Sequence, residues 1–507
     1  MATSTKKASL YLFILRFVRM IISVITLTFT ARFFGVSMER DVWILVVTLI
    51  TTIIQAMWGP INEIFRAKFV FIQEKEGSEI AVRKTGSLFG FIIWVTIFVS
   101  LALYLFSTPI SEIMTRDLET GAIILFVNLF MWQIPTLLLN ELTNIGISIL
   151  NAYEVYYIPE VVGFFSGIVN LLVIILLAPT IGIYSLLIGT YVGIFFLLFA
   201  VIFYLNKFKI NVWRYIFSIR WTDVKLFILF SLPFYLPYFV GQFNAIFERV
   251  IAGMLGSGNI SSVEYARQFI TILQSVLSSV LTTIMVPVLA KQFINKMAVD
   301  FNKTVLDNLQ ISMLIYALAS IFLISSATPL CDFFFNRGKI DVDSMLVIKR
   351  LTQCYGLAFF GVIVYIIMGM VLLSSNQGKY YAIIGVITQI CVFAFNLIGV
   401  KKMGVYVLPT SLGIVHLISG ILMLTRSSII NHRRIVVYIF KSVIGLYLVL
   451  LPYFILDYKF NYNNSFLRLL YIGLSLLLIL PILCSILGFD IKSIIRNIIK
   501  RKNNESN

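Results

Sequence analysis

Charge and metal-binding side chains are what this sequence has least of. Only 12% of its 507 residues are Asp, Glu, Lys or Arg, against about 25% in soluble domains. Histidine occurs twice, at His416 and His432, too few and too far apart for a metal cluster. The four cysteines, Cys331, Cys354, Cys391 and Cys484, stand in or beside apolar stretches without CxxC or other ligand spacing. That pattern excludes a zinc site and a disulfide framework. No nucleophile comes with a base, no Gly-rich loop can cradle a phosphate, and no polar stretch is long enough for a nucleotide-binding domain. Neither an enzyme nor a cofactor is expected.

What remains is apolar. Hydrophobic residues make up 60% of the chain and the mean hydropathy is +0.97, which places it among all-α polytopic integral membrane proteins. The net charge of +17 does not indicate nucleic acid, because the basic residues sit in short segments between apolar runs, where they set topology and meet anionic headgroups. Apolar runs set against breaks of charge, Gly, Pro and Asn predict about fourteen transmembrane helices. They lie near 8–35, 41–65, 86–113, 121–150, 156–179, 181–205, 225–255, 262–290, 305–334, 345–374, 380–400, 404–426, 435–457 and 466–488. The first is too long and too interrupted by arginine for a cleaved signal peptide.

Alternate loops are basic, as at Lys6–Lys7, Arg66–Lys84, Lys207–Lys225, Lys291–Lys303 and Arg426–Arg434, and those between are acidic, mixed or uncharged; Lys401 and Lys402 dissent. By the positive-inside rule both termini are cytoplasmic, and the tail 490–507 reads as an interfacial amphipathic helix. The chain also echoes itself. Ala31 and Gly35 recur as Ala252 and Gly256 at an offset of 221, and Gly163, Gly182 and Tyr184 recur as Gly385, Gly404 and Tyr406 at 222. An offset covering six spans implies a parallel repeat: two pseudo-symmetric six-helix lobes, 1–206 and 223–428, with two additional helices at 433–489. Prolines inside spans, among them Pro60, Pro135, Pro233, Pro237 and Pro287, suit the broken helices of a mobile carrier.

Charges inside spans are functional candidates, since they are costly in hydrocarbon and face a protein interior or a wet cavity. Arg16 and Arg19 are three apart and share a helix face; they either converge on an anion or snorkel to lipid phosphates. With Glu63 they lie in the first two spans, and Glu248, Arg249, Glu264 and Arg267 lie in the repeat-related seventh and eighth. A net-positive cavity between these spans suits a phosphate-bearing substrate. Glu248 and Arg249 serve equally well as structural ties. Arg32, Asp41 and Glu264 are candidate gate or ion-pair residues. Glu141 and Glu160 are candidates for coupling a proton or sodium ion, or for plain interhelical hydrogen bonds, so the driving force is the membrane potential or an H+ or Na+ gradient.

Two rival readings stand beside a carrier. A polytopic polymerase or glycosyltransferase using a lipid-linked sugar finds a foothold in Glu39 and Asp41 but has no large loop to bind an acceptor. A multidrug exporter of two-lobe design would carry fewer arginines in its spans.

Ala31-Arg32-Phe33-Phe34-Gly35 followed by Asp41, Leu150-Asn151-Ala152-Tyr153 followed by Ile158-Pro159, Glu248-Arg249-Val250-Ile251-Ala252, Tyr265-Ala266, Pro287-Val288-Leu289 and Phe335-Asn336-Arg337-Gly338-Lys339-Ile340-Asp341 together resemble the ordered landmarks of the MviN/MurJ family. The resemblance implies fourteen helices and a flippase that moves an undecaprenyl-pyrophosphate-linked oligosaccharide from the inner to the outer leaflet of a bacterial plasma membrane by alternating access. Arg16, Arg19, Arg249, Arg267 and Gln268 are the substrate-binding candidates, with Arg16 and Arg19 placed to substitute from nearby turns for arginines that the family carries elsewhere. The bilayer, the undecaprenyl-linked glycan and the enzymes of polysaccharide or peptidoglycan synthesis are the implied partners. Three places depart from the pattern of lipid II flippases: Thr26 and Leu27 stand where Arg-Asp is usual, Ile53, Ile54 and Gln55 stand in the middle of the second span where arginine is usual, and Arg267-Gln268 displaces the arginine of the eighth span by one residue. The departures favour a cell-surface polysaccharide unit over lipid II as cargo.

Overall fold

The computed structural model describes residues 2–153, 155, 157–336, 338–426, 432–459 and 465–488, for some of them, such as 2–14, Arg16 and 276–284, the backbone alone. The expected tail helix at 490–507 lies outside the described residues. All regular structure among the described residues is helical. In chain order the helices are α1 (Ala2–Phe34), α2 (Met38–Glu76), α3 (Ser78–Leu105), α4 (Ser107–Met114), α5 (Ala122–Gln133), α6 (Thr136–Ala152), α7 (Tyr157–Ile181), α8 (Tyr184–Lys207), α9 (Trp221–Gly253), α10 (Asn259–Ile294), α11 (Ala298–Phe335), α12 (Val342–Ser374), α13 (Gly378–Met403), α14 (Val407–Arg426), α15 (His432–Lys459) and α16 (Ser465–Ile486).

Each of the fourteen expected spans falls on a helix, and two are broken. The third continues from α3 into the short α4 at Phe106; the fourth breaks into α5 and α6 at Ile134–Pro135, where proline removes a backbone donor. Among the described residues nine helical stretches are long and apolar enough to cross a membrane, one of them holding both α13 and α14, and bent α9 makes ten. The bend in α9 is 66° between Trp221–Leu232 and Phe234–Gly253, with Pro233 at the break, the usual cause of a sharp kink.

The chain forms two compact units, Met1–Ser261 with Gly338–Asp341, and Ser262–Arg337 with Val342–Asn507. The division follows Ser261, whereas the repeat places a lobe boundary between 206 and 223. Helix α9 belongs with the first unit because it packs along α2 and α3. The core of that unit is built on α2: Ile61, Ile64, Phe65, Phe69 and Ile72 pack with Leu88, Phe89 and Ile92 of α3, Ile145 and Ile149 of α6, and Phe227 of α9. Phe65 stacks on Phe227 at 5.7 Å. The gain of about 25 cal/mol per Å² for apolar surface taken out of water is missing between helices already in lipid, so shape fit and internal hydrogen bonds carry the helix contacts.

The second unit shows the same logic in its glycines. Helices α12 and α14 approach so closely that a Cβ at Gly361 would stand 1.9 Å from the Gly413 carbonyl oxygen. Across the α11–α12 contact, the Tyr316 hydroxyl donates to the Gly356 carbonyl at 2.8 Å and Ser320 Oγ to the same oxygen at 2.8 Å. Helices α15 and α16 pack on α11 within this unit.

The repeat has a backbone counterpart. Gly182 and Gly404 have φ of +58° and +57°, and Gly35 and Gly256 have +61° and +98°. These are left-handed or related conformations that glycine adopts without a Cβ clash, so the recurring residues mark recurring turns.

Candidate functional site

Helix α2 carries the polar interior of the first unit. Gln55, Gly59, Asn62 and Glu63 follow one another at intervals that keep them on one face of a helix, and they line a cavity of about 320 Å³ with Asn144, Ile147 and Ser148 of α6 and Tyr238 of α9. Gly59 is required by close approach: a Cβ there would lie 2.7 Å from the Tyr238 ring. That ring is fixed at its far end, because the Tyr238 hydroxyl donates to Glu63 Oε2 at 2.9 Å. One turn back on α9, Tyr235 donates to the Met57 carbonyl at 3.1 Å. The cavity wall is therefore amide, hydroxyl and one exposed carboxylate. Such groups can both give and accept hydrogen bonds with sugar hydroxyls.

Behind the wall lies Glu141. Its side chain is fully buried on α6, and Asn62 Nδ2 donates to its Oε2 at 3.3 Å. The Asn144 side chain is in hydrogen-bonding reach of the same carboxyl group. The other carboxylate oxygen, Oε1, meets no donor in hydrogen-bond geometry among the described residues, and neither does the Asn62 Oδ1.

Arg19 on α1 lies against α7. Its Nη1 is 3.9 Å from Glu160 Oε2, with half of the side chain exposed, and the guanidinium fills the space over Gly163, where a Cβ would come within 3.0 Å of Nη1. Glycine at 163 thus makes room for a cation to reach from one helix to the next. Glu160, three residues earlier on α7, faces that cation. The side chain of Arg16 lies outside the described residues.

The α1–α2 turn forms a second polar centre. Ser37 caps α2, accepting from the Arg40 amide at 3.3 Å. Fully buried Asp41 accepts from the Gly258 amide, from the Ser261 amide at 2.7 Å and from the Ser261 hydroxyl. Those amides open α10, so a carboxylate sits where a helix start has unsatisfied donors and positive potential. Gly338 rests on the end of α1, with a Cβ position 2.6 Å from the Ala31 carbonyl oxygen and 2.9 Å from Arg32 Cα. The Arg32 side chain itself is exposed in the last turn of α1.

The remaining expected residues are distributed. Glu248 and Arg249 on α9 pair with each other, Arg249 Nη1 to Glu248 Oε2 at 3.3 Å, both largely buried. Glu264, Arg267 and Gln268 lie on α10 in the second unit, half-buried beside the fully buried Tyr265 and Ala266, with the Tyr265 ring packed at a tilt against Phe335 at 5.3 Å. Among the described residues of the first unit, Arg19 and Arg249 do not line its cavity. Asn62, Asn144, Ser148, Gly59 and Tyr238 were not singled out from the sequence, although the spacing of Gln55, Gly59, Asn62 and Glu63 along one face of an apolar span is a signal that finds them. Asn144 and Ser148 likewise follow Glu141 at three and seven residues.

The profile of the lipid II flippase MurJ family matches residues 30–474. The probable lipid II flippase MurJ of Borreliella burgdorferi is 22% identical over 474 residues, covering 90% of this chain and 92% of that protein. The lipid II flippase MurJ of Burkholderia cenocepacia is 27% identical over 146 residues, a stretch that covers 29% of this chain and 28% of that relative's length. In fold, the chain is similar to a solved lipid II flippase MurJ in an inward closed conformation, with a TM-score of 0.75 at 18% identity, covering 93% of this chain and 98% of the other. This chain belongs to the lipid II flippase MurJ family, a family of multi-pass membrane transporters.

Proposed function

We propose that this transporter carries an undecaprenyl-pyrophosphate-linked glycan from the inner to the outer leaflet of a bacterial plasma membrane, with lipid II the cargo that its family supports. The physical need is plain. A pyrophosphate and a string of sugar hydroxyls are strongly disfavoured in hydrocarbon, whereas the isoprenoid chain is at home there. A carrier that opens to one side of the membrane at a time supplies a polar path for the headgroup while the chain stays in lipid. Both termini face the cytoplasm in this reading, with the basic loops on that side.

The observation that carries the reading is a polar cavity built from the apolar helices α2, α6 and α9, walled by Gln55, Asn62, Asn144, Ser148 and Tyr238. Its groups suit sugars. Arg19, half exposed and only loosely held by Glu160 at 3.9 Å, suits the pyrophosphate, with Arg16, Arg249, Arg267 and Gln268 as the other substrate-binding candidates. Arg32, Asp41, Glu63, Glu248 and Glu264 are the gating or ion-pair candidates.

One feature favours a second cargo. Gln55 stands on the cavity wall in the part of the second span where lipid II flippases carry arginine, so the wall reads a less anionic group there. A lipid-linked unit of a cell-surface polysaccharide fits that change. Reconstitution into liposomes with fluorescent lipid II in one preparation and a lipid-linked polysaccharide unit in another separates the two. Protection of lipid II from an external quencher, changing only when the protein is present, supports the family cargo. Movement of the other unit alone supports the second reading, and movement of neither contradicts both.

A further inference from the structure

We propose that Glu141 is a proton-binding site, reached through the cavity by way of Asn62, and that its protonation is coupled to transport. The coupling rests on the function proposed above; the proton site does not.

Glu141 is fully buried and is the only charged side chain on α6. It forms no ion pair among the described residues, and its contacts are the amides of Asn62 and Asn144. Two acceptors, Glu141 Oε1 and Asn62 Oδ1, have no hydrogen-bond partner among the described residues. A buried carboxylate with an orphaned oxygen is among the costliest arrangements in a protein interior, and an orphaned amide oxygen adds to it. One proton resolves the charge and turns Oε1 from acceptor to donor.

The charged and titratable groups around the site leave that role to Glu141. On α2, Glu63 is exposed and takes the Tyr238 hydroxyl, and Arg66 is exposed one turn beyond Asn62. On α9, Tyr235 donates to the Met57 carbonyl. On α3 the charged residues Glu79, Arg83 and Lys84 occupy the first two turns, where Lys84 pairs with Glu76 at 2.7 Å. On α8 the one charge, Lys207, is at the last residue, and the tyrosines there are Tyr184, Tyr191 and Tyr204.

Access comes through Asn62, which both holds Glu141 and lines the cavity. A volume of about 320 Å³ has room for on the order of ten waters at roughly 30 Å³ each. A hydronium ion there gives its proton to Oε1, forming the O–H bond and leaving water behind, and the reverse step releases it. A metal cation fits less well. Hard cations gather about six or more oxygens, and the pair offers two.

The test uses the purified full-length protein without substrate, followed by infrared difference spectroscopy as pH is varied. The expected result is a protonated-carboxyl C=O band that titrates in the parent and is lost in Glu141→Gln, a variant that keeps the side chain's size and its bond to Asn62. The Glu141→Asp variant keeps an acid and should show the band displaced, which holds the test open if the glutamine variant fails to fold. An unchanged titrating band in a folded Glu141→Gln, or no titrating band in the parent, overturns the site. So does thermal stabilisation by Na+ at fixed pH that disappears in Glu141→Gln. In proteoliposomes, an imposed pH gradient should change the transport rate of the parent several-fold and that of Glu141→Gln not at all; equal responses overturn the coupling. A titrating band in a protein that moves no lipid-linked glycan contradicts the transport reading alone.

Discussion

Asp41 holds Ser261 twice, through its main-chain amide at 2.7 Å and through its hydroxyl, and holds the Gly258 amide as well. One fully buried carboxylate at the start of α2 thereby closes the start of α10. Replacing it with alanine strands two buried amides and a hydroxyl. A charge-assisted hydrogen bond contributes about 1.5–3 kcal/mol, so Asp41→Ala should lower stability by about that much or more, seen as a lower Tm of the purified protein. Asp41→Asn keeps one acceptor oxygen and should lose about half as much. An alanine variant as stable as the parent contradicts this role.

The contact of Gly59 with Tyr238 makes a second expectation. Any side chain at 59 meets the ring at 2.7 Å, and overpacking of this kind typically costs about 1–3 kcal/mol. Gly59→Ala should therefore destabilise the protein and slow transport, and Gly59→Leu should abolish transport. Tyr238→Phe keeps the ring and loses the hydroxyl's bond to Glu63, a change of about 0.5–1.5 kcal/mol. The ordering of the three variants in Tm and transport rate is the check; a leucine variant milder than the phenylalanine one would reverse the argument.

Arg19 and Gly163 give a third. Gly163→Leu fills the space the guanidinium occupies without touching its charge. If Arg19 holds the pyrophosphate, losing a charge-assisted contact of about 1.5–3 kcal/mol weakens substrate binding roughly tenfold to a hundredfold, at about 1.4 kcal/mol per decade. Gly163→Leu and Arg19→Ala should show that loss alike. Arg19→Lys should fall between, since an ammonium cannot grip two phosphate oxygens in a fork. Binding of labelled lipid-linked glycan to the purified variants measures it, and parent-like affinity in Gly163→Leu assigns Arg19 a different task.

Much of this architecture is legible in the sequence. All fourteen apolar spans fall on helices, and the glycines Gly182 and Gly404, which recur at one offset, have nearly equal positive φ angles. Length and hydropathy suffice for the first, and the steric privilege of glycine for the second. Partners across helices are another matter. Arg19 was legible as an intramembrane charge, but nothing local says that it reaches Glu160 over Gly163. Arg249 was legible in the same way, yet its partner is its neighbour Glu248. Asn62 and Asn144 are neutral and common in loops, so charge alone does not flag them; only their register with Gln55 and Glu141 on helix faces does. Glu141 was legible as a buried acid because carboxylates inside apolar spans are rare and rarely idle. The division of the chain after Ser261 depends on the packing of α9 along α2, a tertiary choice that a repeat offset does not encode.

The proposed function is outward movement of a lipid-linked glycan across the membrane. The most direct test depletes the protein in its native cell, then probes the accumulated undecaprenyl-linked species from outside and identifies them by mass spectrometry. The expected result is a lipid-linked glycan that accumulates behind the membrane, inaccessible until the protein is restored, and its mass names the cargo. Accumulation of unpolymerised units already accessible on the outer face would contradict the claim and place the protein at a later step.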